Sequence, residues 1–315
     1  MRLTEVSGKA GNGVMDFTER HYTGETGFSA DYHRVKHFLK KLYTPGYPYG
    51  NWLWNRWEWA FSLPNLNEKE LSRMGVWEMD GEIVGLASYE EDIGEAWLSL
   101  TPGIPGLKRA MAEYAIHHMA KKDESGVTAV QVNVDGSDVE FMAILAELGY
   151  APRNHSEYTA KYDIPSPFPE IVLPEGYSLV SLAEENDLFK INRMLWRGFN
   201  HEGEAPESLL PARSLAQAGP SFNKALTLAV KAPNGEFVSY CGMWYDPAED
   251  YAMVEPVATD PDYRRLGLGK AVVLEGIRRC GELGAKVAYV GSRQDFYYAI
   301  GFKPHLENPW WRKVL

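Results

Sequence analysis

The sequence predicts an α/β (α+β) protein made of two tandem domains. Each half shows the same order of elements: an apolar hairpin with a glycine turn, a strand, a helix, another strand, and a helix that closes at a Gly-aromatic pair. The turn glycine and the closing glycine are 68 positions apart in the first half, at Gly81 and Gly149, and 66 apart in the second, at Gly235 and Gly301. Two copies of one fold explain this repeat more simply than one long domain with coincidental turns.

A proline-rich segment separates the two copies. Residues 165–175, PSPFPEIVLPE, contain four prolines and are typical of a linker. We therefore predict domains at 1–165 and 166–315. A length of 315 residues allows each a full core, and an apolar content of 45% with 10 tryptophans indicates packed globular structure.

Charge and cysteine content limit the classes of partner and the compartment that we expect. The net charge of −11 argues against a nucleic-acid partner, which would need a basic face. It is compatible with a cationic substrate, although acidic charge that serves solubility explains it equally. Cys241 and Cys280 are the two cysteines, which implies no disulfide framework. No signal peptide and no apolar run of about 18 residues is evident. We expect a cytoplasmic monomer or homodimer without a membrane partner.

The first half opens with a helix and a tryptophan-rich segment. Residues 31–43 have apolar side chains at helical spacing. His33 and His37 are one turn apart there, which is metal-ligand spacing, but no third ligand is apparent, so we interpret them as a solvated helix face and predict no metal. Residues 51–61, NWLWNRWEWAF, predict a core or interdomain contact, with a substrate platform as the alternative.

The remaining elements follow from period and turn signals. We predict first-half strands at 76–79, 82–87, 97–100 and 127–134 and helices at 106–122 and 139–148; second-half strands at 177–180, 227–231, 237–245 and 254–259; and a second-half helix at 182–202. The hairpin turns are Asp80-Gly81 and Asn234-Gly235.

A basic, glycine-rich loop follows the strand 254–259. The loop runs Arg264-Arg265-Leu266-Gly267-Leu268-Gly269 and opens at Lys270 into a helix. Backbone N–H groups at a helix N-terminus attract anions, and glycine allows a ligand close to the backbone. Neither a P-loop nor the dinucleotide fingerprint fits, because Gly269 is followed by Lys270, Ala271 and Val272. The loop therefore predicts a cradle for a pyrophosphate.

Two motifs together resemble the GNAT superfamily of N-acetyltransferases. Arg264, Gly267 and Gly269 match the [RQ]xxGx[GA] signature, and Phe296 to Phe302, FYYAIGF, is similar to the later element LYEKLGF. The resemblance implies two tandem GNAT-like domains, each a mixed, mainly antiparallel central sheet flanked by helices. It also implies acetyl-CoA as cosubstrate and transfer of its acetyl group to a primary amine of a small molecule or peptide, by direct attack in a ternary complex.

The resemblance also implies roles for individual residues. The expected cofactor-binding residues are Val257, Thr259, Arg264, Arg265, Leu266, Gly267, Leu268, Gly269, Lys270 and Ser292. Tyr297 occupies the position whose hydroxyl protonates the departing thiolate, with core packing as the alternative. Ser292 stands in for an asparagine often found before this tyrosine. Glu255 is our candidate general base, because it is spaced by two and by four from Val257 and Thr259 and would share their strand face. An ordinary strand-edge carboxylate is the alternative.

The first half lacks these features. Residues 101–107, TPGIPGL, have no leading Arg or Gln, and Pro105 has no N–H to donate. Leu145 occupies the place of Tyr297, four positions before the closing glycine. We therefore predict that the first half is a degenerate copy that supports the second.

The acceptor stays open at the level of sequence. The aromatic and acidic candidates near the acceptor are Trp196, Phe199, His201, Glu202, Glu204, Trp244 and Tyr245. Aromatic walls with carboxylates suit a cation, but they also suit a core and a solvated surface. An aminoglycoside, a polyamine, an amino acid and a protein N-terminus remain equal candidates. A non-catalytic acyl-CoA-binding or scaffold protein on the same fold is the alternative function.

Overall fold

The computed structural model describes residues 17–44, 47–48 and 52–315. The helices are α1 (Ala30–Lys41), α2 (Trp54–Phe61), α3 (Leu107–His118), α4 (Val139–Glu147), α5 (Leu188–Gly198), α6 (Leu210–Leu215), α7 (Leu268–Glu282) and α8 (Asp295–Ala299), with 3₁₀ turns at Glu68–Arg73, Glu207–Leu209 and Pro261–Tyr263. The strands are β1 (Thr18–His21), β2 (Tyr43–Thr44), β3 (Tyr47–Pro48), β4 (Gly75–Met79), β5 (Glu82–Ser88), β6 (Glu95–Leu100), β7 (Lys121–Lys122), β8 (Thr128–Asn133), β9 (Ala151–Asp163), β10 (Ser178–Ser181), β11 (Leu228–Lys231), β12 (Phe237–Tyr245), β13 (Tyr251–Thr259), β14 (Val287–Val290) and β15 (Lys303–Val314). None of the helices described is long and apolar enough to cross a membrane.

The chain forms two compact units whose limits differ from the predicted domains in three places. Of the described residues, unit 1 contains those up to Phe61, Asn65–Glu157 and Leu306–Leu315, and unit 2 contains Ser62–Pro64 and Tyr158–His305. The chain thus passes into unit 2 before the predicted boundary at 165/166, and its last strand ends in unit 1. The domain limits 1–165 and 166–315 stay a prediction about the sequence repeat.

Each unit is built on a mixed, mainly antiparallel sheet with helices packed on it. In unit 1 the strands follow the order β1, β4, β5, β6, β8 and the end of β15, and the pair β6–β8 is parallel. In unit 2 the order is the end of β9, then β14, β13, β12, β11 and β10, and the pair β13–β14 is parallel. The fold class predicted from the sequence is confirmed.

Strands β9 and β15 were not predicted from the sequence. Strand β9, APRNHSEYTAKYD, is polar over most of its length. Strand β15 contains Pro304 and Pro309, and proline within a segment argues against predicting a strand there. Their partners come from distant parts of the chain: residues 160–163 of β9 pair with β14, and residues 310–314 of β15 pair with β8. Each sheet therefore gains its last strand from a segment without a clear apolar alternation.

The internal repeat is visible in the register of the hairpins. In unit 1, Glu78 pairs with Ile83 and the ladder then shifts at Val84. In unit 2, Lys231 pairs with Phe237 and the ladder shifts at Val238. Both hairpins thus carry a β-bulge at the same place after the glycine turn, as the alignment of the two turns implies.

The tryptophan-rich segment of unit 1 belongs to a core. Trp52, Trp54 and Trp57 are each at most 1% exposed, which agrees with the core interpretation and disfavours a substrate platform. His33 and His37 lie on the exposed face of α1. Among the described residues, no group of three or more potential ligands is placed to hold a metal ion.

The helices of unit 2 cover both faces of its sheet. Helix α5 packs with Phe237, Tyr240 and Ala258 on one face, and α7 packs on the other face against a larger cluster that includes Cys241 and Tyr297. Helix α5 begins at Leu188, later than predicted, because the Asp187 side chain accepts hydrogen bonds from the N–H groups of the first turn.

Candidate functional site

The site of unit 2 forms where two parallel strands separate. Strands β13 and β14 pair over three residues, from Tyr251↔Val287 to Met253↔Tyr289. Strand β13 then continues to Thr259, whereas β14 ends at Val290. The edge of β13 beyond Met253 therefore faces a cleft instead of its neighbour, which leaves backbone groups of this segment available to a ligand.

The cleft has a volume of about 700 Å³ and is walled by β13, the glycine-rich loop, α8 and the end of α5. Nine of the predicted site residues line it: Val257, Thr259, Arg264, Arg265, Gly267, Leu268, Gly269, Lys270 and Tyr297. Three do not, namely Leu266, Glu255 and Ser292. The sequence did not predict the lining residues Gly198, Asn200, Gln294 and Phe296 as part of a site.

The loop meets the cleft at the uncapped start of α7. Gly267 is the N-cap residue with φ 80°, no side chain caps the helix, and the first turn holds no acidic residue. Arg265 also has a positive φ, 64°. Alternating backbone conformations of this kind turn successive N–H groups towards one point. With the positive end of the helix dipole and Lys270 beside it, this point favours an anion.

The two glycines of the loop are required for different reasons. A Cβ on Gly267 would meet no atom within 4 Å, so its glycine is explained by the left-handed backbone alone. A Cβ on Gly269 would lie 3.0 Å from Thr259 Oγ1 and 3.4 Å from the Phe296 ring. Gly269 is therefore explained by the close approach of α7 to β13 and α8.

The Arg264 guanidinium holds the loop in place. Its Nε–H donates to the Thr259 carbonyl at 3.1 Å, and its Nη2 donates to the Gly198 carbonyl at 3.0 Å and to Asn200 Oδ1 at 2.8 Å. These contacts tie the end of β13 to the end of α5. They also occupy the carbonyl of Thr259. Arg264 therefore holds two walls of the cleft together, in addition to bringing a positive charge to it.

A buried carboxylate anchors the turn that leads into the loop. Asp260 is fully buried and accepts from Arg197 Nε at 2.6 Å, from Arg197 Nη2 at 3.0 Å and from the Asp262 N–H at 3.1 Å. Burial acts to raise the Asp260 pKa, but the bonds from Arg197 outweigh it and the pKa is lowered. An Asp-Pro pair is typical of a turn, but the sequence does not show that the partner of Asp260 lies 63 positions earlier.

Tyr297 lines the cleft and is largely buried. Its side chain is 7% exposed and its ring contacts Phe296 and Phe302, with centroid distances of 5.0 and 5.5 Å. Burial raises the pKa of its phenol well above the usual range, and the charges of Glu255 and Cys241 raise it further. The hydroxyl therefore keeps its proton at neutral pH and can donate it.

Glu255 lies at a β-bulge of β13 and does not itself line the cleft. Cys241 pairs with Val257 and Met243 pairs with Val254, so Gly242 alone faces both Glu255 and Pro256. The bulge breaks the two-residue alternation, so the spacing argument that placed Glu255 on the face of Val257 and Thr259 does not hold. Glu255 is nevertheless close enough to raise the pKa of Tyr297.

Two neighbours on β12 shape this bulge. A Cβ on Gly242 would lie 2.3 Å from the Glu255 carbonyl oxygen, so only glycine fits there. The indole N–H of Trp244 donates to the same carbonyl at 3.0 Å. Trp244 is thus part of the frame of the site, and with 4% exposure it offers little surface to an acceptor.

The other predicted residues have varied surroundings. Ser292 Oγ accepts from the Gln294 N–H at 3.2 Å, which stabilises the turn before α8. Tyr245 is buried and its hydroxyl donates to the Leu283 carbonyl at the end of α7. Phe199 is 50% exposed and lines the cleft. His201 stacks on Trp196 at 4.2 Å, in a loop where Glu202 and Glu204 are exposed.

A splayed parallel strand pair opposite an uncapped, glycine-rich helix start is the arrangement expected from the sequence resemblance to the GNAT superfamily. Comparison with known proteins agrees with this fold. Residues 188–302 match the acetyltransferase (GNAT) family model. No curated protein matches the chain.

Solved structures show the same fold over nearly the whole chain. A GCN5-related N-acetyltransferase from Sphaerobacter thermophilus is 15% identical over 95% of both chains, with a TM-score of 0.58. A tandem GNAT protein from the clavulanic acid biosynthesis pathway is 15% identical over 76% of this chain and 82% of its own, with a TM-score of 0.54. N-myristoyltransferase from Saccharomyces cerevisiae is 9% identical over 99% and 86%, with a TM-score of 0.56. The region 188–302 thus matches the acetyltransferase (GNAT) family, and the fold of the chain is similar to that of GNAT structures, including a tandem one.

Proposed function

We propose that this protein is an acetyl-CoA-dependent N-acetyltransferase whose active site is the cleft of unit 2. The observation that supports this most directly is that one cleft is lined both by the α7 cradle and by Tyr297, which keeps its proton at neutral pH. The acceptor is a primary amine of a small molecule or peptide.

The residues present fit the cosubstrate acetyl-CoA. The uncapped start of α7 offers backbone N–H groups for the pyrophosphate, and the open space above Gly267 leaves room for its oxygens. The Lys270 and Arg265 side chains add positive charge at the same edge. The edge of β13 beyond its pairing with β14 supplies hydrogen-bonding groups for an extended amide-bearing arm, as an added strand would use them: those of Val257 and the N–H of Thr259, whose carbonyl is occupied by Arg264.

The protein's own groups then move two protons. The amine nitrogen of the acceptor attacks the thioester carbonyl carbon, so that an N–C bond forms and the C–S bond breaks. Glu255, directly or through water, takes the proton that the nitrogen must lose, and Tyr297 gives its proton to the departing sulfur. The phenol of Tyr297 is protonated at neutral pH, as a proton donor must be, and its position in the lining of the cleft supports the role more than its raised pKa does.

A non-catalytic acyl-CoA-binding or scaffold protein would share the cradle. Such a protein has no need of an acid at the sulfur end of the cleft or of a carboxylate beside it. The electrostatic pair of Tyr297 and Glu255 therefore favours the enzyme.

Calorimetric titration of the whole protein with acetyl-CoA, on the native chain and on two matched variants, tests the cofactor site. Gly267→Glu places a carboxylate at the cradle, whereas Gly106→Glu makes the same change at the start of α3 in unit 1. The two glycines are equivalent in structure: both are N-cap residues, with φ of 80° and 79°, and a Cβ added to either would meet no atom within 4 Å.

We expect one site per chain, lost in Gly267→Glu and retained in Gly106→Glu. Because the backbone strain of the two substitutions is alike, a difference between them reports the ligand site and not the cost to folding. Binding that survives in Gly267→Glu, or that is lost in Gly106→Glu alone, would contradict the placement. Absence of binding to the native chain would refute the proposed function.

A further inference from the structure

One arginine of unit 2 is partly buried without an acidic partner. Arg213, in α6, donates its Nε–H to Asn192 Oδ1 of α5 at 3.1 Å. Within the part of the chain that the structure describes, no carboxylate pairs with its guanidinium. Arg193 and Arg197 on the same side of the sheet differ, because both contact the buried carboxylate of Asp260, at 3.5 and 2.6 Å.

The surroundings of Arg213 leave its charge uncompensated. Burial lowers the pKa of the guanidinium, and the one group that opposes this shift is the phenol of Tyr240. That phenol is itself deeply buried and, because burial raises its pKa, it is neutral at physiological pH. Water still reaches the guanidinium, because none of its nitrogen atoms is among the described buried polar atoms that lack a hydrogen-bond partner. An anionic ligand can therefore reach Arg213 and supply the counter-charge that the protein does not.

The location of Arg213 relates it to the acceptor side of the site. Tyr240 lies on β12 opposite Ala258, which lines the cleft. Two residues further along the same strand, Gly242 faces the bulge at Glu255. At a rise of about 3.3 Å per residue, this step is ~7 Å. Trp244, the next residue on this face, contacts Phe222, which packs against the same cluster as Tyr240.

We propose that Arg213 binds an anionic group, a carboxylate or a phosphate, of an acceptor whose amine reacts near Glu255. The inference rests on the proposed acetyl transfer. It narrows the acceptor to small molecules in which a few bonds separate the reacting amine from an anionic group. It disfavours polyamines and aminoglycosides, which carry further cationic groups instead of an anion. A guanidinium suits this task because its planar donors bind carboxylate and phosphate in pairs.

The test compares acids with their neutral counterparts. The probes are a panel of α-, β- and ω-amino acids, each beside its carboxamide, and phosphoethanolamine beside ethanolamine. Acetyl transfer is followed by release of the free thiol for the native chain, Arg213→Gln and Lys224→Gln. Lys224 is exposed and lies in the same unit, so it controls for the loss of one positive charge. Calorimetric titration of the same amines into the protein saturated with CoA gives binding without turnover.

We expect the native chain to prefer the anionic member of at least one pair, by at least tenfold in kcat/KM or in affinity. Arg213→Gln should raise KM or Kd for that member at least tenfold, with kcat within about twofold and with its carboxamide or ethanolamine counterpart unaffected. The carboxylate and phosphate arms identify which anion is preferred. A native chain without preference, an equal effect of Arg213→Gln on both members, or an equal effect of Lys224→Gln would overturn the proposal. If acetyl-CoA binds but no amine is acetylated, the proposed function fails, and calorimetry still decides whether Arg213 binds anions.

Discussion

Replacement of Arg197 by methionine tests how the loop before the cradle is held. The substitution keeps the length of the side chain but removes both donors to Asp260, whose carboxylate is fully buried. Removing one partner of a buried ion pair costs ~3–5 kcal/mol. Arg197 itself is 30% exposed and Arg193 remains at 3.5 Å from the same carboxylate, so we expect a loss of ~2–3 kcal/mol in the free energy of unfolding at pH 7.

The pH dependence of this loss follows from the pKa of Asp260. In the native chain the folded-state pKa is lowered, so the pair stabilises the fold above the unfolded value of about 3.9, and this contribution disappears as the pH falls through the folded-state pKa. In Arg197→Met, burial prevails and raises the pKa, so the carboxyl becomes neutral in mild acid. The deficit of the variant should therefore be largest near pH 7 and smaller near pH 4.

Urea denaturation at both pH values measures the effect, with Lys231→Met as the control. Lys231 pairs with Glu185 at 2.8 Å, but both side chains are partly exposed, at 34% and 27%. Such surface pairs contribute ~1 kcal/mol or less. A loss in Arg197→Met no larger than that of the control, or a deficit that grows towards acid pH, would refute the assignment of Asp260 as a buried, Arg197-dependent anion.

Two further predictions concern the reacting end of the cleft. Tyr297→Phe removes only a hydroxyl and should lower turnover by about 10²-fold or more, with little change in acetyl-CoA affinity; unchanged turnover would remove Tyr297 from the mechanism. Since the pKa of Tyr297 is raised, this residue should cause no loss of activity below about pH 10 in the native chain. Glu255→Gln should reduce the rate or shift the acid limb of the pH profile of kcat/KM, and an identical profile would exclude Glu255 as the base.

Features that depend on neighbouring residues were predictable from the sequence. The cradle is encoded locally, because the glycines of the loop and the start of α7 lie within a few residues of one another. The hairpin turns are equally local: Asp80 and Gly81 adopt φ of 53° and 80°, the left-handed values that an Asp-Gly turn requires. The order of strands and helices in each half followed from the same short-range patterns.

Features that depend on distant partners were not predictable. Arg197 and Asp260 are an arginine on an ordinary amphipathic helix and an aspartate in an ordinary turn until the fold brings them together. The bulge at Glu255 was missed for the same reason. A strand pattern shows alternation but not register, and the extra residue becomes visible only when Gly242 is seen opposite two residues of β13. The sequence identifies Glu255 as a carboxylate on this strand. It does not show which side of the strand the Glu255 side chain faces.

The corresponding strand pair of unit 1 shows no such bulge among the described residues. By the equivalence of the two hairpins, Ser88 takes the place of Gly242. Its partner on β6 is Trp97 alone, and the register continues without a shift from there to Leu100. The parallel ladder with β8 also extends as far as Trp97, whereas in unit 2 it ends at Met253, before the bulge. The described part of unit 1 therefore shows no bulge where β13 carries Glu255 in unit 2.

The space beside this strand is filled as well. Trp97 is 2% exposed, its ring lies 4.6 Å from that of Trp52 and 4.9 Å from that of Trp310, and the guanidinium of Arg56 stands 4.7 Å above it. A ligand arm laid along β6 would have to displace this cluster, and large aromatic side chains are costly to expose. Leu145, at the position of Tyr297, is fully buried and has no proton to give. The described part of unit 1 thus lacks the β-bulge, the open space beside the strand and the proton donor at the position of Tyr297. We therefore expect acyl transfer to depend on unit 2 alone.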